Sequence, residues 1–580
     1  YFVQSMREEG EVKVSFLKVV NGILKDLFTF NSPNLTFRNL DRNNLFTDAI
    51  KEMNAVEIIY EALLAEPKYK KPLRLSALVG PHFSEVFESR DPNTDFTTPI
   101  AFTKIGFDEF FKGGEPHDLN KALIMYSTAV GGLTLSEIDY LRQRISEKYV
   151  IEYIDIWTSF LMGIQLRKVG EWHEARSLLE SLTTITSNPL EGLISTLQTN
   201  TDLSEAKVVL AQADSTKKTE AGLAGTDEIN TTVIADGPKI LAARKISDAF
   251  EIYVSEMTPN GEKKTQFDLF LKYARDINIW LNEASRAKSG IGKYLFDQLS
   301  ASGNTNALVK LNNFSVLTEI KLLREFGLDL ASELDRGAMD YVHKYLEAQW
   351  RKSVLLPYNN LVKSSFPFNY NATQDLSLET FYKIFSPMGS IETFKRDFLS
   401  SYSFPDGSFK PRSTFLQTGL SELGPVASLQ LKQASKISET MFLDGKPNLD
   451  FQIRSGFMDA SLSKILLSSG KTLYQFSHGP VSWSQQSWPL VGIKDNDLNL
   501  RLYERSRNVF DETTQGPWSW FRLGTKGKVQ LSPSLGVIEV VFAGERGQSI
   551  LQFQTSTYQN PFSATFFSGF HLPDTLFSAQ

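Results

Sequence analysis

The sequence predicts an α+β, multidomain fold, in which a large N-terminal all-helical region is followed by a C-terminal antiparallel β-sandwich-like domain. Two patterns predict it. Apolar residues recur at the spacing of an amphipathic helix as far as about Ser435, and beyond Pro447 they alternate with polar residues, as in half-buried strands. The length of 580 residues allows roughly four domains of about 150 residues each.

The helical pattern is well illustrated by the segment that starts at Thr134. Thr134 and Glu137 have the spacing of a capping box, in which two side chains satisfy backbone donors at the start of a helix. Ile138, Leu141 and Ile145 follow at spacings of three and four and form one apolar stripe. The pattern therefore predicts an amphipathic helix that begins at Thr134.

No part of the chain has about 18 uninterrupted apolar residues, the length that crossing a bilayer requires. The nearest candidate, Tyr149–Ile164, contains Glu152 and Asp155, and we interpret it as a buried amphipathic helix. The sequence begins at Tyr1 and shows no signal-peptide pattern. We therefore expect a segment of a longer protein, with any membrane anchor outside it.

Three regions are predicted along the chain. Residues 1–345 form the large helical region, which could consist of two helical subdomains joined by a loop near 214–237, where Thr, Gly and Asp are frequent. Residues 346–442 form a smaller helical domain. Residues 443–580 form the β-rich C-terminal domain, and we place the change from helices to strands near 442–448.

Short strands are predicted throughout the β-rich domain. Leu449, Phe451 and Ile453 alternate with polar residues, and the same alternation recurs over 498–502 and 551–555. Turn-forming residues rich in Gly, Asp and Lys separate these runs. Short strands joined by short turns are typical of an antiparallel sandwich or barrel.

Two tryptophans follow a Gly516–Pro517 turn within this domain. We predict a strand that places Trp518 and Trp520 on one buried face and Phe521 on the other, with Arg522 covering the sheet edge. A buried aromatic side chain stabilises a core by about 1.5–3 kcal/mol, so two on one face would anchor a small sheet. The alternative is an exposed platform that binds a partner protein or a sugar.

The sequence contains no recognisable set of catalytic or metal-binding residues, so we predict no enzymatic activity and no cofactor or metal. The absence of cysteine excludes disulfides, thiolate chemistry and Cys-ligated zinc. The six histidines show no metal-ligand spacing. The run Ser468–Thr472 is similar to the end of a phosphate-binding loop, but Ile465 stands where its first glycine belongs, and we predict a hairpin turn there. Ser461–Lys464 fits the S-x-x-K motif by chance, without its companion motifs.

The net charge of −6 includes no long basic block, so nucleic acid is not an expected partner.

Several motifs occur in an order that resembles one family. They are, in chain order, Thr98–Phe111, Ser187–Leu203, a tryptophan helix with an aromatic-Pro-Phe stop within Gln349–Leu399, Ala434–Ile453, Tyr474–Pro480, Gly516–Leu523 and Tyr558–Pro573. This order resembles the IcmF/TssM family, the large inner-membrane components of type VI secretion systems. The resemblance marks the following residues as packing or partner-binding positions: Trp350, Phe366, Pro367, Phe368, Gly479, Pro480, Gly516, Pro517, Trp518, Trp520, Phe521, Arg522, Asn560, Pro561, Phe562 and Pro573.

The chain departs from this family at two positions. Members often carry cysteine near the positions of Tyr358 and Leu572, where this chain has none. Thiol chemistry is therefore excluded at both positions, which argues that they serve packing. Nothing in the chain resembles the cytoplasmic NTPase-like domain that many members possess.

The resemblance implies a structural, non-catalytic role in a trans-envelope secretion channel. It implies a periplasmic segment of a bacterial inner-membrane protein, which forms homo-oligomers, binds an inner-membrane partner subunit and reaches an outer-membrane lipoprotein through the C-terminal β-domain. Two alternatives stay open. One is an IcmF homologue of a type IV secretion apparatus. The other is a cell-wall carbohydrate-binding or carbohydrate-active protein in which Trp518 or Trp520 stacks on sugar rings.

Overall fold

The computed structural model describes residues 54–183, 188–203, 237–257, 265–301, 306–417, 419–490, 497–532, 534, 536–557 and 559–578. The loop predicted near 214–237 lies outside the described residues, apart from Gly237. The chain divides into two compact units, the first made of Tyr1–Glu283 and Thr305–Gly337 and the second of Ala284–Asn304 and Ala338–Gln580. The three predicted regions, with boundaries at 345 and 442, stay a prediction.

Helices dominate the described chain before residue 442. In chain order, the α-helices are α1 Ala55–Leu64, α2 Pro67–Lys70, α3 Leu75–Val79, α4 Phe83–Val86, α5 Lys104–Phe110, α6 His117–Ala129, α7 Leu135–Gly163, α8 Trp172–Thr183, α9 Pro189–Thr201, α10 Pro238–Met257, α11 Gln266–Arg286, α12 Ile291–Ser300, α13 Ala307–Leu317, α14 Lys321–Trp350, α15 Leu356–Leu361, α16 Leu378–Phe385, α17 Ser390–Phe398, α18 Pro425–Met441, α19 Ser519–Lys526 and α20 Thr565–Ser568. Short 3-10 turns cover Ile100–Phe102, Lys112–Gly114 and Ser400–Tyr402, and a π-helical turn covers Arg351–Leu355.

Strands are short in the first part of the chain and longer after residue 448. They are β1 Pro72–Arg74, β2 Phe87–Ser89, β3 Thr97–Pro99, β4 Ile164–Leu166, β5 Arg412–Ser413, β6 Leu420–Ser421, β7 Phe442–Leu443, β8 Lys446–Pro447, β9 Leu449–Met458, β10 Lys464–Ser469, β11 Lys471–Phe476, β12 Ser484–Trp488, β13 Leu498–Glu504, β14 Arg507–Thr514, β15 Lys528–Leu531, β16 Val537–Gly544 and β17 Gly547–Thr555. β1 to β8 form only two-stranded pairs.

Helix α7 begins as the sequence predicts. Among the described helices that lie wholly in the first unit, it is the longest. Thr134 Oγ1 accepts the backbone N–H of Glu137 at 3.3 Å, and Glu137 Oε2 accepts that of Thr134 at 2.8 Å. The predicted capping box is therefore confirmed. These two bonds fix where the helix starts.

The buried face of α7 carries three aromatic residues one helical turn apart, Tyr149, Tyr153 and Trp157. Tyr149 Oη donates to Ala101 O at 2.6 Å, and Trp157 Nε1 donates to Phe102 O at 2.9 Å. Each buried polar atom thus has an acceptor, which avoids the cost of an unpaired donor. The prediction of a buried amphipathic helix here is confirmed.

The second unit contains the change from helices to a β-sandwich, which confirms the α+β prediction. Helix α18 ends at Met441 and β7 begins at Phe442. One antiparallel sheet has the order β11-β10-β13-β14, and the other has the order β12-β9-β17-β16-β15. The strands predicted over 449–453, 498–502 and 551–555 are β9, β13 and β17. Their alternating apolar side chains are buried, as the period of two requires.

Two short helices interrupt the β-rich part. Helix α19 packs against β13 and β14 of the four-stranded sheet and against β15 of the five-stranded sheet. It therefore fills the space between the sheets on that side of the sandwich. Helix α20 follows β17.

The run Ser468–Thr472 forms the hairpin turn between β10 and β11. Gly470 has a φ of 66° there, a conformation that glycine adopts without strain. The predicted hairpin is confirmed.

Within the described residues, no helix combines the length and the apolar composition that a membrane span requires.

We predict that Thr134→Ala loosens the first turn of α7. Loss of an N-cap hydroxyl costs about 1 kcal/mol, which is roughly a fivefold increase in local opening. Hydrogen–deuterium exchange at residues 135–138 measures this opening. Thr158→Ala, an exposed change near the C-terminal end of the same helix, is the matched control and should leave those amides unaffected. Equal exchange in wild type and Thr134→Ala would contradict the prediction.

Candidate functional site

Most of the residues that the sequence marks as family positions meet in the second unit, around a cluster that we call the aromatic junction. It consists of Phe381 on α16, Trp488 at the end of β12, Trp518 just before α19, Phe521 on α19 and Phe567 on α20. All five side chains are buried. The cluster therefore joins the sandwich to the helices that precede and follow it.

Trp518 lies at the centre of the aromatic junction. Its ring centroid is 4.7 Å from that of Trp488, 5.1 Å from that of Phe381 and 5.6 Å from that of Phe567. The contacts with the two phenylalanines are edge-to-face, the geometry that the ring quadrupoles favour. Its Nε1 donates to Leu376 O at 2.6 Å. The indole is thus fully buried with its one polar atom paired.

Trp520 is also fully buried, but it belongs to a different cluster. Its ring meets that of Phe451, on β9, edge-to-face at 4.9 Å, inside the sandwich. Its Nε1 has no hydrogen-bond acceptor within the described part of the chain. The prediction that both tryptophans are buried is confirmed.

The predicted strand at this point is wrong. Ser519–Lys526 is the helix α19, and Trp518 and Trp520 do not share a strand face. The physical reason is the spacing of the buried residues. Phe521, Leu523 and Gly524 lie one, three and four positions after Trp520, which places them on one face of a helix.

The prediction that Arg522 covers a sheet edge is also wrong. Arg522 Nε donates to Asp375 Oδ1 at 2.7 Å, and its Nη2 donates to Thr373 O at 3.0 Å. The guanidinium lies 4.2 Å from the ring centroid of Phe366. Arg522 therefore ties α19 to the loop before α16 by a largely buried ion pair and a cation–π contact.

Gly516 belongs to the same contact. Its φ of 86° lies in the region that favours glycine, and a Cβ at this position would overlap the carboxylate of Asp375. Pro517 follows, and its carbonyl oxygen accepts the Nε1–H of Trp488 at 2.7 Å. The Gly-Pro pair thus allows the chain to approach both the ion pair and the junction.

The segment with Phe366, Pro367 and Phe368 forms the loop that Arg522 contacts. Leu376 N donates to Phe366 O at 2.9 Å, which closes the loop, and the Phe366–Pro367 peptide bond is cis. The ring of Phe368 stacks on that of Phe385, with centroids 4.9 Å apart. All three predicted residues are buried.

The segment after β17 joins the sandwich to the junction. Asn560 Nδ2 donates to Phe553 O at 2.8 Å, and Asn560 Oδ1 accepts the N–H of Phe562 at 3.0 Å. Phe562 then stacks on Phe521 at 4.7 Å. Pro561, between them, is buried. The predicted Asn-Pro-Phe residues are therefore packing residues in this structure.

Trp350 and Tyr358 both hold the segment that contains Pro573. Trp350 Nε1 donates to Pro573 O and Tyr358 Oη donates to Phe570 O, each at 3.1 Å. On a regular α-helix, the side chains of two residues eight positions apart point about 80° away from each other. The π-turn between Trp350 and Tyr358 takes up one extra residue, so their side chains point only about 20° apart. The π-turn at Arg351–Leu355 therefore brings both side chains onto one face.

Two titratable side chains at this segment have shifted pKa values. Burial raises the pKa of Tyr358 to about 12, so its hydroxyl remains a donor. Burial also raises the pKa of Glu347, although the N–H groups of Leu576 and Phe577, which donate to its Oε1, oppose this shift. Both groups serve to fix the last described residues.

Gly479 and Pro480 are predicted residues that the structure brings neither to the junction nor into a buried position. They lie exposed in the loop between β11 and β12.

Sequence reasoning missed several members of the junction and its surroundings, namely Asp375, Phe381, Trp488 and Phe567. Trp488 could have been found, since it alternates with the buried Gln486 at strand period. The partner of Asp375 is 147 residues away, so no local pattern marks it.

No group of three or more His, Asp or Glu side chains that could hold a metal ion occurs among the described residues. The residues brought together at the junction are aromatic rings, backbone carbonyls and one ion pair. This arrangement can hold elements in place, and it offers no paired acid and base.

Comparison with known families gives two matches. The family described as IcmF-related (intracellular multiplication and human macrophage-killing) matches residues 42–202. The family described as the type VI secretion protein IcmF C2-like domain matches residues 451–557, which contain most of the sandwich.

A curated relative and two solved structures are similar over most of the chain. The type VI secretion system component TssM1 of Pseudomonas aeruginosa is 22% identical over 560 residues, which are 91% of this chain and 48% of the relative. The chain therefore spans about half the length of that relative. A chain of a type VI secretion system membrane core complex has a TM-score of 0.64 at 18% identity, covering 91% of this chain and 100% of the other. A chain of a type VI membrane complex has a TM-score of 0.62 at 16% identity, covering 93% and 96%.

The two tryptophans allow a matched test of the hydrogen bond at the junction. Trp518→Phe leaves the buried Leu376 oxygen without its indole donor, which costs about 1–3 kcal/mol beyond the lost volume. Trp520→Phe removes a buried donor for which the described residues supply no acceptor, so we expect only volume to be lost. We expect the larger loss of unfolding free energy for Trp518→Phe, measured by urea denaturation. An equal loss, or a larger one for Trp520→Phe, would show that the bond to Leu376 is not important.

Gly516 and Gly479 allow a second matched test. Gly516→Ala places a Cβ in a left-handed conformation against the Asp375 carboxylate, and the strain alone costs about 1–2 kcal/mol. Gly479→Ala meets no atom within 4 Å and should change stability by less than about 0.5 kcal/mol. Melting temperatures of the two variants measure the difference. Similar melting temperatures would refute the assigned role of Gly516.

Proposed function

The chain is a member of the IcmF/TssM family of type VI secretion proteins, and from this premise we propose that it is a structural, non-catalytic component of a type VI secretion membrane complex. The observation that carries the proposal is the similarity of fold over 91% of the chain to a chain of a solved type VI secretion membrane core complex. The helices of the first unit and the sandwich of the second would both serve this role as scaffold.

We place the chain in the periplasm, as part of a bacterial inner-membrane protein. The absence of a membrane-crossing helix from the described residues is compatible with anchoring through segments outside this chain. In this arrangement, copies of the chain associate with one another and with an inner-membrane partner subunit. The similarity to chains of multi-subunit complexes supports partners of this kind.

The C-terminal sandwich is the part that we propose binds the outer-membrane lipoprotein of the complex. A scaffold that transmits force to a partner needs a binding domain that does not shift against its support. The aromatic junction and the Arg522–Asp375 pair supply this, because they hold the sandwich to the neighbouring helices by buried contacts. The structural role is thus supported by where the family positions lie.

The two alternative functions are less well supported. A sugar platform made by Trp518 or Trp520 is incompatible with their complete burial. A type IV secretion homologue would have the same fold, but the relative and the solved structures described above all belong to type VI systems.

Binding of the lipoprotein tests this proposal. We expect the purified chain to bind the outer-membrane lipoprotein of the same secretion complex, and hydrogen–deuterium exchange to slow on binding within 449–555. The same experiment on the first unit's helices, over 135–163, is the internal control and should show no change. Absence of binding, or protection confined to 135–163, would contradict the proposed role of the sandwich.

A further inference from the structure

The end of the sandwich farthest from the aromatic junction is built from linked turns. β9 begins at Leu449, opposite Trp488 of the junction, and ends at Met458, so the turn after Met458 lies at the far end. There, Ser463 Oγ donates to Arg505 O at 3.0 Å. This bond joins the β9–β10 connection to the β13–β14 turn.

Arg505 occupies a position in the β13–β14 turn that normally favours glycine. The turn has two residues, because Glu504 and Arg507 are the last paired residues of its strands. Arg505 has a φ of 57°, and a positive φ at the first residue of such a turn is usually supplied by glycine. A strained arginine at an exposed turn has a conformational cost, and strain of this kind occurs more often at functional sites.

Arg505 and Arg507 are also exposed, and the described residues include no ion-pair partner for either. Neither guanidinium has a carboxylate partner within the part of the chain that the structure describes. Neighbouring arginines differ: Arg546 lies 3.7 Å from Glu504, and Arg501 Nε lies 3.0 Å from Asp511. Two cations without an ion pair among the described residues therefore lie two positions apart in the hairpin at the far end of the sandwich.

We propose that Arg505 and Arg507 are a docking point for carboxylate side chains of a protein partner. This inference rests on the proposed function, in which the sandwich binds the outer-membrane lipoprotein, and it assigns the contact to one turn. A guanidinium presents a planar fork of donors that pairs with a carboxylate through two hydrogen bonds. A turn already held by Ser463 loses little freedom when such bonds form.

A protein partner fits this turn better than a membrane surface. Recognition of anionic lipid typically needs a cluster of four to eight basic residues. Within the described residues, two basic side chains of this hairpin lack an ion pair, and Glu504 stands next to Arg505 in the same hairpin. Directional pairing with a few carboxylates is the chemistry that two guanidinium groups support.

The test compares the whole wild-type chain with Arg505→Gly/Arg507→Ser. We expect the association rate constant for the lipoprotein to fall about tenfold at low ionic strength, and the difference to shrink at 0.5 M salt. The melting temperature should not fall, because glycine suits the backbone at 505. Lys432→Ser/Lys436→Ser removes the same charge from exposed positions on α18 and should leave the rate unchanged.

The outcomes separate this inference from the proposed function. If the wild-type chain does not bind the lipoprotein, the proposed function fails. If wild type and the arginine variant bind it equally fast, or if the lysine control loses as much, the docking point is refuted while the proposed function stands. The last experiment measures binding of the same variants to vesicles of phosphatidylglycerol and phosphatidylcholine. Binding to them that depends on Arg505 and Arg507, with no change in lipoprotein binding, would assign the turn to a membrane instead.

Discussion

The organisation of the second unit depends on the burial of the Trp518 indole. Its ring contacts residues from α16, β12 and α20, and its Nε1 is bound to the Leu376 carbonyl. Elements that are more than 140 residues apart in sequence therefore meet at one side chain. Because the only polar atom is paired, the full apolar surface of the ring can be removed from water without an unpaired donor.

This aromatic packing has a role that disulfides often have in proteins outside the cytoplasm. The chain has no cysteine, so no disulfide bond links the sandwich to its neighbouring helices. The ion pair of Arg522 with Asp375 also orients α19 relative to the loop before α16, since a guanidinium and a carboxylate bind in a defined geometry. Such a junction is independent of the redox state of its surroundings.

Local patterns were sufficient for much of the fold and for only part of the site. The capping box of α7 and the alternation in β9 depend on neighbouring residues, and both were predicted. The helix α19 differs from the predicted strand because aromatic residues two apart, as in Trp518 and Trp520, fit a strand, whereas the helical spacing is complete only at Leu523 and Gly524. The pairing of Arg522 with Asp375 is set by tertiary structure, which no local spacing reveals.

The π-turn at Arg351–Leu355 sets the relative direction of the side chains on its two sides. If the same residues formed a regular α-helix, Tyr358 would rotate by about 100° relative to Trp350, and its hydroxyl would move away from Phe570. The wide turn thus absorbs one extra residue, and the two donors remain in register only while the turn stays π-helical.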